Sequence, residues 1–155
     1  MDNGAVEIVL VEDSPSDAEL ITRSLKKCNL ANRIVILKDG VEALEYLLGQ
    51  GAGTTMPAPR VVLLDVNLPK VDGLEVLRRI KADERTKDIP VVMLTSSNQE
   101  RDIAAAYQLG ANSFVTKPIK FDEFAQAVAD LGSYWLMLNV PTVRRTAKLE
   151  VVNNE

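Results

Sequence analysis

Short apolar runs alternate with longer amphipathic stretches along the whole chain. Runs at 6–11, 33–37, 61–64 and 90–95 are rich in Val, Ile and Leu, a fifth at 112–116 carries Phe114 and Val115, and turn formers such as Gly, Pro, Asp and Ser lie close to each. Apolar runs of this length, broken by turn formers, are the pattern of strands covered on both faces. Between them, apolar residues recur every three or four positions, which predicts amphipathic helices. The first such face carries Ala18, Ile21, Leu25 and Cys28, the second Val41, Leu44, Leu47 and Leu48, and the third Leu74, Leu77 and Ile80. A fourth carries Ile103, Ala106 and Tyr107 and ends at Gly110. The last helix is expected over 121–138, with a heptad-like seam of Phe124, Val128, Leu131, Trp135 and Leu138.

Local chemistry punctuates the same elements. Ser14 and Pro15 suit a cap and a first helical position, Asp39-Gly40 and Asp72-Gly73 break strand from helix, and 97–100 reads as a capping box. The Gly- and Pro-rich stretch 49–59 is a connector, and the polar stretch 82–88 is expected to fray. From Asn139 onward, Pro141, Arg144, Arg145 and Lys148 mark a tail, which leaves 1–138 as one domain. Five strands alternating with five helices imply right-handed crossovers, hence a doubly wound α/β fold with helices on both faces of a parallel sheet.

Composition narrows the chemistry more than the fold. At 155 residues, with 46% hydrophobic and 26% charged residues, the chain is long enough for one well-packed domain. A formal charge of −4 argues against general nucleic-acid affinity, and no stretch resembles a signal or a membrane span. The cytoplasm is therefore the expected compartment. Cys28 is the sole cysteine, which excludes an intrachain disulfide and a thiolate metal cluster. The complete absence of histidine excludes a Ser-His-Asp triad, a histidine zinc site and a phosphohistidine carrier within this chain. Carboxylates, lysine and hydroxyls must carry whatever chemistry exists.

A parallel sheet gathers the carboxyl ends of its strands at one edge, where open α/β sheets bind ligands. That edge collects Glu12 and Asp13, Asp65, Thr95 and Lys117. Taken alone, each has an ordinary explanation: Asp65 as a cap of the turn after its strand, Glu12-Asp13 as turn chemistry, Lys117 as a solvated side chain. Together, three mutually repelling carboxylates need a cation, a shared proton or outward rotation; a hard divalent ion is the natural solution, and magnesium suits one or two carboxylates plus a phosphate. Lysine and threonine beside them suit an anion. A carboxylate so placed is equipped to attack phosphorus.

Four ordered motifs now carry a resemblance: residues 9–13 (VLVED), 63–69 (LLDVNLP) with Asp72-Gly73, Leu94-Thr95-Ser96, and 114–118 (FVTKP). Together they resemble the receiver domain of bacterial response regulators over about residues 6–138. The resemblance implies a flavodoxin-like sheet of order 2-1-3-4-5, with Asp65 as phosphoacceptor. It also implies Mg2+ held by Glu12, Asp13, Asp65 and the Asn67 backbone carbonyl. Thr95, with Ser96 beside it, and Lys117 would contact the phosphoryl group. Phe114 would swing inward as the aromatic switch, without the hydroxyl of a tyrosine, and a cis peptide would precede Pro118. A sensor histidine kinase would be the donor, which gives the missing histidine a reason.

Too few residues follow Leu138 for a DNA-binding module, so the expected output is a protein surface. A helix over 121–138 is about 27 Å long and overhangs strands of about 17–20 Å, exposing residues 134–138. The expectation is a homodimer on the fourth and fifth helices and fifth strand, with Trp135 as anchor and Tyr107, Phe121 and Leu138 as further contacts. The long connector, the 111–118 stretch and the aromatic final helix are similar to regulators that partner bacterial phytochrome kinases. A second class, a haloacid-dehalogenase-like phosphatase, also uses an Asp nucleophile but commonly places an acid where this chain has Asn67. Neither a P-loop nor a Gly-x-Gly-x-x-Gly fingerprint is present.

Overall fold

The computed structural model describes residues 6–29, 33–49, 58–96 and 99–141. In chain order the elements are β1 (Ile8–Val11), α1 (Pro15–Lys27), β2 (Ile34–Leu37), α2 (Gly40–Leu48), β3 (Val61–Leu64) and α3 (Gly73–Ala82). They continue with β4 (Val91–Thr95), α4 (Glu100–Gln108), β5 (Ser113–Thr116), α5 (Phe121–Ser133) and a π-helical turn at Tyr134–Leu138. The strands form one parallel sheet in the order β2-β1-β3-β4-β5. Fold class, strand order and the five βα alternations are those expected from the hydrophobic pattern and the resemblance.

Strand periodicity divides the core in two, because successive side chains leave opposite faces of the sheet. Val9, Val11, Val62 and Leu64 meet α2, α3 and α4 on one face. Ile8, Leu10, Val61, Leu63, Val92 and Leu94 meet α1 and α5 on the other. The three central strands are therefore buried throughout, whereas the edge strands β2 and β5 are only partly covered.

The caps follow local chemistry. Ser14 accepts from the Asp17 amide, Asp39 from that of Glu42, and Asp72 from those of Leu74 and Glu75. Gly110 closes α4 with φ +106°, a conformation that glycine adopts without penalty. The N-cap of α4 is Gln99, with no side-chain cap bond, while Ser97, the expected cap, lies outside the described residues. Most of the 49–59 connector and the basic residues Arg144, Arg145 and Lys148 also lie outside them. The 82–88 stretch is held rather than frayed: the buried Thr86 hydroxyl donates to Ile80 O at 2.7 Å, and Arg85 pairs with Asp83. Cys28, expected on the buried face of α1, is instead its exposed C-cap, beyond the last helical turn.

The final helix departs from expectation in a way that matters for surface chemistry. It is α-helical only to Ser133 and then widens, with the Asn139 amide donating to Tyr134 O at 2.7 Å. An i→i+5 turn advances the chain by a smaller angle per residue than an α-helix, so the heptad seam loses its phase. Trp135 turns inward and is 9% exposed, packed with the α1–α5 core, whereas Leu138 is left 69% exposed. The expected Trp135 anchor is thus a core residue, with Tyr134 edge-on against it at 4.9 Å between ring centroids. Arg60, just before β3, donates to Leu136 O at 3.0 Å and fixes the widened turn.

Candidate functional site

Ladder hydrogen bonds extend one residue beyond the strands and set the site's geometry. The Glu12 amide bonds Leu37 O at 2.9 Å, the Asp65 amide bonds Val11 O at 3.2 Å, and the Lys117 amide bonds Thr95 O at 2.7 Å. Glu12 and Asp65 are thereby delivered side by side at the carboxyl edge of the sheet, and Lys117 beyond them, next to Thr95 at the end of β4. Their side chains converge: Lys117 Nζ lies 2.6 Å from Glu12 Oε1 and 3.2 Å from Asp65 Oδ2. A third carboxylate, Asp17 Oδ2, lies 2.9 Å from the same ammonium. Residues separated by up to 105 positions meet at a single nitrogen.

Burial and charge compete within this cluster. Glu12 and Asp65 are buried, at 3% and 7% exposure. Burial pushes the Glu12 carboxyl up to about 7, with the Asp65 charge adding to the rise and Lys117 opposing it. Burial alone would lower the Lys117 pKa. Its hydrogen bonds to Glu12 and Asp17 and the field of Asp65 outweigh that, holding the ammonium above its ordinary value and charged. The second oxygens are fixed as well: Glu12 Oε2 accepts from the Ser14 amide at 3.1 Å, and Asp65 Oδ1 from the Asn67 amide at 3.0 Å.

Glu12, Asp13 and Asp65 each offer a carboxylate oxygen, and these oxygens lie within 4.8 Å of one another. Asp13 is exposed and faces solvent while the other two are enclosed. An all-oxygen set of this kind, with one open side, suits a hard divalent cation that keeps some of its waters.

The other expected residues fall into place unevenly. Thr95 ends β4 fully buried, and Ser96 is exposed beside it, lining with Val66 and Asn67 a groove of about 590 Å³ that opens next to the acids. Phe114 is half-buried and packs against the α2–α4 side of the core, at the rim of the sheet rather than beside the acids. The peptide preceding Pro118 is trans, since the described residues contain no cis bond. An X–Pro amide prefers trans by only about 0.5–1 kcal/mol, so the sequence motif does not by itself fix the isomer. Tyr107 and Phe121 are exposed, at 49% and 67%.

Two contributors were not visible as site residues in the sequence. Asp17 reads there as first-turn helix chemistry, and its only signal is its place three residues after the cap Ser14 and four after Asp13. Gly73 reads as a turn former, yet a Cβ on it would lie 2.0 Å from the Asp65 carbonyl oxygen. Its amide donates to Val66 O at 2.8 Å, clamping the segment after β3 onto the start of α3.

A family model described as the response regulator receiver domain matches residues 8–129. The chain belongs to that family. It is 45% identical over 133 residues to the probable methanogenesis regulatory protein FilR2 of Methanothrix harundinacea, covering 85% of this chain and 84% of that protein. It is 42% identical over 129 residues to the response regulator Rcp1 of Synechocystis, covering 83% and 88% of the two chains. The Mn2+-bound structure of Rcp1 matches with a TM-score of 0.81 at 39% identity over 89% of this chain and 99% of that one. The bacteriophytochrome response regulator AtBRR matches at 50% identity with a TM-score of 0.65, covering 88% of this chain and 99% of that one. This is a receiver domain of two-component systems, similar to phytochrome-associated regulators. The phosphatase alternative is not favoured. No helix among the described residues is long and apolar enough to cross a membrane.

Proposed function

We propose that this receiver accepts a phosphoryl group on Asp65 from a sensor histidine kinase, with Mg2+ as cofactor, and passes the signal on through a protein surface. The observation that carries the reading is the convergence of Lys117 Nζ on Glu12 and Asp65 within a three-carboxylate set. An Asp65 oxygen attacks phosphorus, the bond from phosphorus to the donor's imidazole nitrogen breaks, and that nitrogen keeps the electron pair and takes a proton. Lys117 neutralises charge on the phosphoryl oxygens, and the Thr95 hydroxyl and Ser96 hydrogen-bond them. Glu12, Asp13, Asp65 and the Asn67 carbonyl hold Mg2+, which supplies further charge neutralisation when bound.

Phe114 then moves inward behind Thr95, coupling the site to the face formed by α4, β5 and α5. The unit is a receiver over 1–138 with a tail over 139–155. It acts in the cytoplasm as a homodimer on that face, with Tyr107, Phe121 and Leu138 rather than Trp135 as contacts, without nucleic acid or membrane. The similarity to the bacteriophytochrome response regulator AtBRR supports a bacteriophytochrome-type donor. The Mn2+ bound to Rcp1 supports a divalent ion here. Mass spectrometry of the protein treated with acetyl phosphate and Mg2+ tests the core of the reading. Wild type gains one phosphoryl group and Asp65→Asn gains none; equal gain by the variant sinks it.

A further inference from the structure

The Lys117 ammonium has three N–H bonds and three carboxylate partners, Glu12 at 2.6 Å, Asp17 at 2.9 Å and Asp65 at 3.2 Å. Two of these belong to the oxygen set suited to a cation, and Asp17 does not. Once a cation draws on Glu12 and Asp65, and once Asp65 carries a phosphoryl group, both of those contacts change. Asp17 stands outside that oxygen set and is not the proposed phosphoacceptor, so neither event acts on its carboxylate directly.

Asp17 is also anchored independently of the sheet. It stands in the first turn of α1, where a carboxylate is favoured by the helix dipole, and its amide donates to Ser14 Oγ at 3.3 Å. Ser14 in turn donates its amide to Glu12 Oε2. The four residues close a ring: Glu12 to Ser14, Ser14 to Asp17, Asp17 to Lys117, and Lys117 back to Glu12. A flexible lysine would otherwise spend rotamer entropy to reach one point beside Asp65.

From this ring we infer that Asp17 is a positioning residue, a tether that keeps Lys117 aimed at the phosphoryl position whether or not metal is bound. The inference rests on the reading of Asp65 as phosphoacceptor and Lys117 as phosphoryl contact. Asp17 stands outside the cation's oxygen set and acts through its bond to Lys117. An alternative, purely structural role is a helix-start carboxylate whose contact with Lys117 is incidental.

A double-mutant cycle separates these, with beryllofluoride as the phosphoryl mimic at saturating Mg2+, its binding measured by calorimetry. Asp17→Asn weakens beryllofluoride binding by about three- to tenfold, less than the loss of a direct charge-assisted hydrogen bond because Asp17 acts through Lys117, while Mg2+ affinity stays within about twofold. Asp17→Glu, which keeps the charge, retains most of the binding. Lys117→Met loses more, and adding Asp17→Asn to it costs nothing further. The tether is overturned if Asp17→Asn binds beryllofluoride like wild type, if its loss adds to that of Lys117→Met, or if Asp17→Glu binds no better than Asp17→Asn. Undiminished binding by Lys117→Met overturns the phosphoryl reading of Lys117 and the tether with it. If Asp17→Asn fails to fold, Asp17→Ser, which removes the charge but suits the first turn of a helix, takes its place in the cycle, alone and on Lys117→Met, and is read by the same outcomes.

Discussion

Gly73 lies directly against the carbonyl of Asp65: a methyl group on its Cα would sit 2.0 Å from that oxygen and 2.8 Å from Val66 Cα. Neither obstacle is a side-chain end that can rotate away, so the backbone carrying Asp65 must move. Gly73→Ala is expected to cost about 2–3 kcal/mol, a fall in Tm of about 5–10 °C for a chain of this size. Loss of acetyl-phosphate labelling at temperatures where the variant is still folded distinguishes displacement of Asp65 from simple destabilisation. A variant with wild-type Tm and labelling contradicts the close contact.

Glu12 supplies a pH dependence with a definite sign. Its folded pKa of about 7 exceeds its ordinary value of 4.5. The native state therefore binds more protons than the unfolded state in that window. This group's contribution to metal-free stability is fully present below about 4.5 and is lost as pH rises through about 7. Mg2+ competes for the same carboxylate, so it raises Tm more at pH 8 than at pH 6, and binding at pH 6 releases a proton. Calorimetry in buffers of different ionisation enthalpy measures that release. A Tm increment independent of pH would count against Glu12 as a ligand.

Arg60 and Leu136 join the start of β3 to the widened end of the last helix. Arg60→Ala removes a charge-assisted bond to a carbonyl in the widened turn and is expected to cost about 1–2 kcal/mol. Trp135 is the chain's single tryptophan, so its fluorescence reports this corner alone. A red shift of emission at temperatures below the global transition is the expected signature. An unchanged spectrum with unchanged Tm shows that the π-helical turn holds without the guanidinium.

Tyr107 and Phe121 are the exposed aromatic residues on α4 and α5 at the face proposed for self-association. Phe121→Glu places a charge where a second copy would desolvate it, and is expected to shift sedimentation from dimer towards monomer, with Tm unchanged at concentrations where wild type is itself monomeric. A wild-type protein that sediments as a monomer at high micromolar concentration, with and without beryllofluoride, removes the dimer altogether.

The fold was legible because the central strands are buried on both faces. Runs such as 61–64 cannot be amphipathic helix, and the alternation of runs and helical faces leaves only a parallel sheet with helices on both sides. Glu12, Asp65 and Lys117 were legible because strand ends in such a sheet share an edge. Asp17 was not, because a carboxylate in a helix's first turn has a sufficient local explanation, and only the packing of α1 and α5 on one face of the sheet shows its reach to Lys117. The burial of Trp135 was equally hidden: residues 134–138 are all apolar, so nothing in their order signals where the helix widens. The trans peptide before Pro118 marks another limit, since two isomers so close in energy are chosen by surroundings rather than by sequence.

The meeting of Glu12 and Lys117 across 105 positions has a consequence for how the chain matures. Contacts between distant segments require the entropy of closing large loops to be overcome, so the acid pair and its counter-ion meet only once the segments carrying β1, β3 and β5 have all joined the sheet. A nascent or partly unfolded chain holds Asp65 but not the geometry around it, and is silent to both metal and donor. Competence to receive a signal is in this way a proofreading mark of complete folding, imposed by topology alone.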